Sequence, residues 1–198
     1  MNTWAIVPVK SFHQGKSRLS TVLSAEKRLA LTKTMFRHVI TVLKQVSAID
    51  KILVVSRDQT VAELANEFAV TVYSKEQPRN LNVALTMAAD CAWLENAQTL
   101  LIIPSDLGLL QADDIEMMLA QTGRVAICPD DRFDGTNALL IRNLPRFQFH
   151  YGEQSFTKHL EEATFNGHVA QVVYADSIEF DLDTPADWQR YQKIVAGR

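Results

Sequence analysis

The opening of the chain, WAIV at residues 4–7 followed by PVKSFHQGKSRL at residues 8–19, decides its fold class. The first four residues predict a short apolar strand, and the following segment predicts a loop that carries Lys10, Lys16 and Arg18. In open α/β sheets, ligands bind in the crevice outside the carboxyl ends of the strands. A cationic loop at that position therefore suits a polyphosphate ligand.

Beyond this loop, predicted helices and strands alternate along the chain, which predicts an α/β fold with a mostly parallel sheet. The predicted helices cover residues 24–46, 58–68, 82–94, 113–120, 156–165 and 186–195. The predicted strands cover residues 51–55, 70–73, 100–103, 125–128, 137–141, 169–174 and 178–182. The segment 74–80, which contains Pro78, is predicted to be a loop.

Composition favours one soluble domain. With 198 residues, 47% of them hydrophobic, the chain can bury one substantial core. A net charge of -3 argues against broad binding to nucleic acid or to a membrane surface. The two cysteines, Cys91 and Cys128, do not form a disulfide framework. No apolar run approaches the roughly 18 residues that span a bilayer, and no signal peptide is visible, so we expect a cytoplasmic protein.

The basic loop differs from a P-loop. That motif requires Gly-x-x-x-x-Gly-Lys-Ser/Thr, and Lys10 stands where the first glycine is needed before Gly15 and Lys16. Because the loop is poor in glycine, we expect Lys10, Lys16 and Arg18 to contact phosphates through their side chains. The alternative interpretation is a solvated loop with scattered cations.

Two acidic segments are candidate metal ligands. Asp106 follows Ser105 directly after a predicted buried strand, and Asp181 and Asp183 share one face if their segment is extended. Thr184 is the predicted N-cap of the last helix, and this alternative explains Asp183 poorly and Asp181 not at all. Two carboxylates about 4 Å apart repel by about 4 kcal/mol at an effective dielectric near 20, so convergence requires a cation. Oxygen ligands indicate Mg²⁺ or Mn²⁺ rather than zinc.

Two further segments place small polar residues at the start of a predicted strand and at the start of a predicted helix. DGTNALL at residues 134–140 carries Thr136 and Asn137, which can hydrogen-bond an acid group, and an ordinary turn is the alternative. YGEQSF at residues 151–156 joins Gly152 to Ser155, the predicted N-cap of a helix. Free backbone N–H groups at such a helix start suit a phosphate or a carboxylate, and an ordinary capped helix is the alternative.

Taken together, these segments resemble the 2-phospho-L-lactate guanylyltransferase family, the guanylyltransferases of coenzyme F420 biosynthesis. The matching segments are Ile6–Lys10, Lys16–Leu19, Leu81–Leu85, Pro104–Leu107, Asp134–Leu140, Tyr151–Gly152 with Ser155, Phe156 and His159, and Asp181–Pro185. They occur in family order across nearly the whole chain. The resemblance implies a single-domain, Rossmann-like, three-layer fold of the GT-A nucleotidyl transferase type.

The resemblance also implies an activity, the transfer of GMP from GTP to a small phosphorylated carboxylic acid with release of pyrophosphate. Acceptors in the family are 2-phospho-L-lactate, phosphoenolpyruvate and 3-phospho-D-glycerate. By analogy, residues 1 to about 128 hold the nucleotide, and residues from about 129 to 198 hold the acceptor and the metal. A homodimer is a family-level expectation. Neither nucleic acid nor a membrane is an expected partner.

The resemblance assigns roles to individual positions. It implies that the triphosphate is contacted by Lys10, Lys16 and Arg18, and that the nucleotide is bound by Pro8, Val9, Asn82 and Ser105. It implies that the acceptor is bound by Thr136, Asn137, Gly152 and Ser155. The implied ligands of Mg²⁺ or Mn²⁺ are Asp106, Asp181 and Asp183.

The sequence departs from the family at Asn80 and Gly108, where glycine and proline are common. Two alternatives stay open. One is another nucleotidyl transferase of this fold, of the molybdenum-cofactor or sugar-phosphate type. The other is a nucleotide-binding module without catalysis.

Overall fold

The computed structural model describes residues 2–73 and 80–197. Its strands are β1 (Thr3–Pro8), β2 (Lys51–Val55), β3 (Thr71–Tyr73), β4 (Thr99–Ile102), β5 (Val125–Pro129), β6 (Thr136–Arg142) and β7 (Gln171–Val172). Its α-helices are α1 (Ala25–Gln45), α2 (Gln59–Glu67), α3 (Leu81–Leu94), α4 (Ala112–Leu119), α5 (Ser155–Phe165), α6 (Asp176–Glu179) and α7 (Pro185–Ala196). Two short 3₁₀ helices, Phe12–Gln14 and Ser17–Thr21, form the basic loop. Most of the predicted loop 74–80 lies outside the described residues.

The strands form one seven-stranded mixed sheet in the order β3-β2-β1-β4-β6-β5-β7. Strands β1, β2, β3 and β4 pair in parallel, and β7 pairs in parallel with β5. Strand β6 runs antiparallel to both of its neighbours, β4 and β5. The prediction of a mostly parallel mixed sheet is therefore confirmed.

Helices cover both faces of the sheet, because side chains along a central strand alternate between two buried faces. On one face, Val7 and Leu101 pack with Phe36 of α1 in a cluster that α2, α4 and α6 also enter. On the other face, Ile6 and Leu85 belong to a cluster shared by α3 and α5. These layers confirm the three-layer α/β architecture.

The register of the sheet brings three strand ends together. Pro8 at the end of β1 lies beside Val55 at the end of β2, and Ile6 lies beside Ile102 at the end of β4. The loops that follow β1, β2 and β4 therefore meet at one edge of the sheet, the edge at which ligands bind in open α/β folds.

A third apolar cluster stands beside this edge. Leu19 of the basic loop, Met35 of α1 and Leu182 are buried in it, with Trp188 and Tyr191 of α7 packed against them. This cluster holds the basic loop and the segment before α7 against α1. It thereby fixes two of the predicted site segments relative to each other.

Several helices begin close to their predicted first residue with a side-chain cap. Ser24 accepts a hydrogen bond from the Lys27 backbone N–H, and Asp58 accepts one from that of Thr60. Thr184 and Asp187 form a reciprocal capping box with Pro185 in the first turn of α7, a strong helix-start signal.

Two predictions near the carboxyl end of the chain were wrong. Residues 178–182 do not form a strand, since α6 covers Asp176–Glu179 and residues 180–182 belong to no strand of the sheet. The backbone oxygens of Ile178 and Glu179 accept hydrogen bonds from the Asn137 side-chain amide instead. The predicted strand 169–174 is shortened to Gln171–Val172. Among the described residues, no helix is long and apolar enough to cross a membrane.

Candidate active site

A cavity of about 1120 Å³ opens at the sheet edge where β1, β2 and β4 end. Eleven of the predicted site residues line it: Pro8, Val9, Lys10, Lys16, Arg18, Ser105, Asp106, Thr136, Asn137, Asp181 and Asp183. The predicted nucleotide residue Asn82 and the predicted acceptor residues Gly152 and Ser155 are not among the lining residues. The structure thus brings the basic loop and all three candidate metal ligands to one space.

Close packing against α1 shapes the basic loop. A Cβ atom added at Gly15 would lie 2.5 Å from the Thr32 Cγ2 methyl, so only glycine allows this approach. The next residue, Lys16, has a left-handed backbone with φ 53° and ψ 37°. That conformation is uncommon for a residue with a side chain. It directs the Lys16 side chain away from solvent and toward the carboxylates.

The Lys16 ammonium group sits among the three candidate metal ligands. Its Nζ atom lies 2.7 Å from Asp106 Oδ2, 3.1 Å from Asp183 Oδ1 and 3.9 Å from Asp181 Oδ1. Only 2% of the Lys16 side chain is exposed, whereas the three carboxylates are partly open to the cavity. The cation that the converging carboxylates require is therefore supplied by the chain itself.

The ionisation of these groups follows from their surroundings. Burial opposes the charge of Lys16, but attraction by Asp106, Asp183 and Asp181 outweighs it and raises the pKa of Lys16. Burial also raises the pKa of Asp181 to about 6, with repulsion from Asp183 and Asp106 adding to it and Lys16 opposing it. A neighbouring positive charge therefore favours the ionised form of Asp181.

The local fold places the side chains of Asp181 and Asp183 on the same side of their backbone segment. Leu182 between them is 1% exposed and points into the third apolar cluster, so its two neighbours point the other way. The backbone N–H groups of Asp183 and Thr184 both donate to Asp187 Oδ2, at 3.2 and 2.7 Å. The capping box of α7 therefore also orients the candidate ligand Asp183.

The donor set fits a divalent metal. One carboxylate oxygen from each of Asp106, Asp181 and Asp183 can be chosen such that all three lie within 4.8 Å of one another. An all-oxygen set of this kind suits a hard cation. The buried ammonium of Lys16 among the same oxygens shows that this position favours positive charge.

The other two predicted cations are more open to solvent. The Arg18 side chain is 70% exposed, and its NH1 lies 3.5 Å from Asp183 Oδ2. Lys10 is exposed on the cavity wall. Both side chains can therefore swing to meet a bound polyanion, whereas Lys16 is held by its carboxylate partners.

Thr136 and Asn137 form a second part of the cavity wall, called the far wall below, and both side chains make buried hydrogen bonds. Thr136 Oγ1 lies 2.9 Å from His159 Nδ1, and His159 Nε2 accepts a hydrogen bond from the His150 backbone N–H at 2.9 Å. The Asn137 amide donates to the Ile178 oxygen at 2.8 Å, which joins β6 to α6. Thr136 therefore keeps a hydroxyl at the cavity, while the Asn137 amide group is already engaged by backbone.

The comparison with known proteins identifies the chain. The family described as Guanylyl transferase CofC like matches residues 3–192.

The chain belongs to the CofC-like guanylyl transferase family.

Curated relatives agree with this membership. The phosphoenolpyruvate guanylyltransferase of Rubrobacter xylanophilus is 36% identical over 195 residues, covering 97% of this chain and 94% of the relative. The 2-phospho-L-lactate guanylyltransferase of Methanothermobacter thermautotrophicus is 34% identical over 190 residues, covering 94% and 82%. Among solved structures, a nucleotidyl transferase from Methanothermobacter superposes with a TM-score of 0.68, at 14% identity over 97% of this chain and 96% of the other. The predicted nucleotidyl transferase fold is confirmed.

Within this guanylyl transferase, the predicted helix start at Ser155 needs correction. The N-cap of α5 is Gln154, and Ser155 is the first helical residue with 2% exposure. The Ser155 N–H donates to the Gly152 oxygen, and the Phe156 N–H donates to the Asp134 oxygen. These two N–H groups are therefore not free for an anion. Gly152 has φ 126°, a conformation that requires glycine.

In this guanylyl transferase, the Asn82 side chain forms hydrogen bonds with the backbone of Tyr151. Its amide nitrogen donates to the Tyr151 oxygen at 3.0 Å, and its Oδ1 accepts from the Tyr151 N–H at 2.7 Å. Tyr151 itself lines the cavity. Asn82 thus holds the start of α3 to the cavity wall, and its predicted role in binding the nucleotide stays a prediction.

Both departures from the family pattern have a structural explanation. Asn80 does not adopt a left-handed conformation but is the extended N-cap of α3, and its side chain accepts from the N–H groups of Asn82 and Val83. A Cβ atom added at Gly108 would lie 3.0 Å from Tyr191 Cε2 and 3.2 Å from Met35 Cε. The loop behind Asp106 is therefore packed tightly against α1 and α7.

Sequence analysis missed the contribution of the β2 loop to this guanylyl transferase site. Ser56, Arg57 and Asp58 line the cavity directly after β2. The sequence pattern assigned residue 58 only to the start of a predicted helix. The available signal was strand order, because the carboxyl ends of parallel neighbours such as β1 and β2 lie side by side.

Proposed function

We propose that this guanylyl transferase moves GMP from GTP onto the phosphate of a small phosphorylated carboxylic acid and releases pyrophosphate. Phosphoenolpyruvate is the first acceptor to test, since several relatives at 34–36% identity carry that name. The observation that carries the proposal is the convergence of Asp106, Asp181 and Asp183 with the basic loop at one cavity.

The reaction requires positioning more than activation. An oxygen of the acceptor phosphate attacks the α-phosphorus of GTP, a new P–O bond forms, and the bond to the bridging oxygen of pyrophosphate breaks. The acceptor phosphate is already an ionised nucleophile near neutral pH. The protein must therefore align two anions and offset their repulsion, which are contributions of proximity and electrostatics.

The positive charges of the basic loop are suited to offsetting the repulsion between the two anions. We assign Lys10 and Arg18 to the triphosphate, because both line the cavity and neither is buried. Lys16 belongs to the same loop, and its ammonium is close enough to the carboxylates to bridge them to bound phosphate oxygens. Pro8, Val9 and Ser105 are the proposed nucleotide wall, and they line the cavity at the ends of β1 and β4.

Asp106, Asp181 and Asp183 are the proposed ligands of Mg²⁺ or Mn²⁺. When bound there, the cation would neutralise phosphate charge as it shifts onto pyrophosphate. These carboxylates would hold the cation beside Lys16 of the basic loop. The acceptor is proposed to lie against that far wall, beside Thr136 and Tyr151.

The remaining predictions concern the context of the enzyme. The division at about residue 128 into a nucleotide part and an acceptor part stays a proposal, as do a homodimer and a cytoplasmic location. The β5–β6 pair joins the two parts in one sheet, so they are expected to unfold together.

Pyrophosphate release tests the proposal directly. The protein is incubated with GTP and Mg²⁺ and, in turn, phosphoenolpyruvate, 2-phospho-L-lactate and 3-phospho-D-glycerate, with EDTA as the control. Release with one acceptor and none under EDTA would establish the reaction and name its substrate. Asp183→Asn should slow release about 100-fold, while Asp176→Asn, which changes an exposed carboxylate outside the cluster, should leave it unchanged.

The same assay with ATP, CTP and UTP separates the alternative transferase. Release with CTP, or with none of the three acceptors although GTP binds, would contradict the proposed reaction. Absence of release with every nucleotide and acceptor would favour the nucleotide-binding module.

A further inference from the structure

The His159 ring is held between two hydrogen bonds and has no contact with solvent. Its Nε2 atom lies 2.9 Å from the His150 backbone nitrogen, and its Nδ1 atom lies 2.9 Å from Thr136 Oγ1. The side chain belongs to α5, is 0% exposed, and packs against the rings of Phe147 at 6.1 Å and Tyr151 at 4.9 Å. The orientation of the ring is therefore set on all sides.

These contacts determine which ring nitrogen carries the proton. A backbone N–H can only donate, so Nε2 must accept from His150 and cannot itself be protonated. In the neutral ring the proton then lies on Nδ1, which donates to Thr136 Oγ1. Burial, with repulsion from His150, lowers the pKa of His159 to about 3, so the ring is neutral at physiological pH.

The tautomer of His159 in turn orients the hydroxyl proton of Thr136. Because Oγ1 accepts from Nδ1–H, its own proton cannot point toward the ring. Among residues 2–73 and 80–197, His159 Nδ1 is the one hydrogen-bond partner of Thr136 Oγ1. Thr136 lines the cavity and is 5% exposed, so we expect its hydroxyl proton to point toward the space where the acceptor is proposed to bind.

We propose that His159 is a positioning residue, which donates from Nδ1 to Thr136 Oγ1 and so turns the Thr136 hydroxyl into a hydrogen-bond donor for an anionic oxygen of the acceptor. The inference rests on the proposed function, since it takes the acceptor to be an anion at the far wall. A hydrogen bond from a neutral hydroxyl to a charged oxygen adds affinity and orientation without introducing another charge. This places the specificity of the far wall in a pair of residues, of which only one touches the ligand.

The tautomer is measured on the unmodified protein. With ¹⁵N-labelled histidine, long-range ¹H–¹⁵N spectra distinguish a ring protonated at Nδ1 from one protonated at Nε2. The His159 signal is assigned among the five histidines by its shift in Thr136→Val. A neutral ring protonated at Nδ1, with or without substrates, is expected. A ring protonated at Nε2, or a charged ring at pH 7, would overturn the inference whatever the activity.

Kinetics test whether His159 acts through Thr136. His159→Gln keeps an acceptor near the Nε2 position for the His150 N–H but lacks the Nδ1 donor, and His159→Asn keeps a donor near Nδ1. Loss of one hydrogen bond to a charged group is expected to raise the acceptor KM about tenfold in His159→Gln and in Thr136→Val. The GTP KM should be unchanged in both, and His159→Asn and Thr136→Ser should lie near the unmodified enzyme.

The double variant is decisive. If His159 acts through the hydroxyl, His159→Gln adds nothing once Thr136→Val has removed that hydroxyl. Multiplied effects, or equal rises in the KM of GTP and acceptor, would mean a merely structural role and would overturn the inference. Failure to transfer GMP to any of the acceptors would refute the proposed function even if the His159 ring is protonated at Nδ1. The inference would then fail because no acceptor is bound, and not because of the tautomer.

Discussion

The side-chain nitrogen of Lys16 lies 2.7 Å from Asp106 Oδ2, an ion pair that ties the loop after β1 to the loop after β4. The lysine is nearly inaccessible to solvent, with 2% of its side chain exposed against 40% for Asp106. The same ammonium also reaches Asp183 at 3.1 Å. The Lys16 ammonium group therefore occupies the place where the three carboxylates are proposed to bind a metal ion.

This shared position predicts competition between Lys16 and the metal. Lys16→Met should tighten Mn²⁺ binding in the absence of nucleotide by about tenfold, or about 1.4 kcal/mol, because the metal no longer displaces an ammonium group. Turnover should fall, since the loop loses a phosphate contact. Mn²⁺ affinity is measured by electron paramagnetic resonance or calorimetry. Arg18→Met is the control, because Arg18 is 70% exposed and weakly placed at 3.5 Å from Asp183. Weaker Mn²⁺ binding in Lys16→Met would contradict the competition.

Removing one carboxylate should separate function from folding. In Asp183→Asn, Lys16 keeps Asp106 at 2.7 Å, so no buried charge is left unpaired. We expect the melting temperature to change by no more than about 4 °C, equivalent to about 1 kcal/mol in a chain of this size. Turnover should fall by about 100-fold, the upper end of the loss found when even an outer-shell partner of a metal ligand is removed. Activity close to that of the unmodified enzyme would remove Asp183 from the metal site.

Gly15 offers a test of how packing shapes the basic loop. Its φ of -67° is accessible to alanine, but the added Cβ would lie 2.5 Å from Thr32 Cγ2. Gly15→Ala should therefore destabilise the protein by about 1–3 kcal/mol, the usual cost of overpacking, and should raise the GTP KM because Lys16 is displaced.

Thr32→Ser supplies the matched control for that variant. It removes Cγ2 and keeps Oγ1, which bonds the Phe12, Arg28 and Leu29 oxygens. The double variant Gly15→Ala with Thr32→Ser should recover most of the stability and of the GTP KM, measured by urea unfolding and kinetics. No recovery would show that the steric contact with Thr32 is not what limits position 15.

His159 should make the stability of the protein sensitive to acid. Its pKa is about 3 in the folded protein, lowered first by burial and then by His150, against 6.5 in the unfolded chain. Between these values the unfolded chain binds more protons, so stability rises with pH through this window and is lost as pH falls from about 6.5 toward 3. The slope is at most about 1.4 kcal/mol per pH unit for one group.

Urea unfolding at several pH values between 4 and 7 measures this dependence. His159→Gln removes the titrating group and should flatten the stability profile below pH 6.5. His168→Gln, a substitution of a partly exposed histidine, serves as the control and should leave the profile unchanged. An equally steep profile in His159→Gln would assign the acid sensitivity to other groups.

Local patterns accounted for much of the fold. The hydrophobic run of β1, the capping box at Thr184 and Asp187, and the alternation around Leu182 each depend on residues close in sequence. Such signals survive in the folded protein because a cap or an alternating pattern needs only its neighbours and one buried side. The strand predicted at residues 178–182 did not form, because α6 covers part of this segment and the Asn137 side chain donates hydrogen bonds to the backbone oxygens of Ile178 and Glu179.

The sequence by itself determined the α/β alternation, the cationic loop after the first strand and the pairing of Asp181 with Asp183 across Leu182. Only the tertiary structure decided that Lys16 lies among the candidate metal ligands and that His159 lies within hydrogen-bond distance of the Thr136 hydroxyl. Lys16 and Asp106 are 90 residues apart in the chain. Contacts at that separation depend on how the strands align and which face each helix covers, and no local periodicity specifies either.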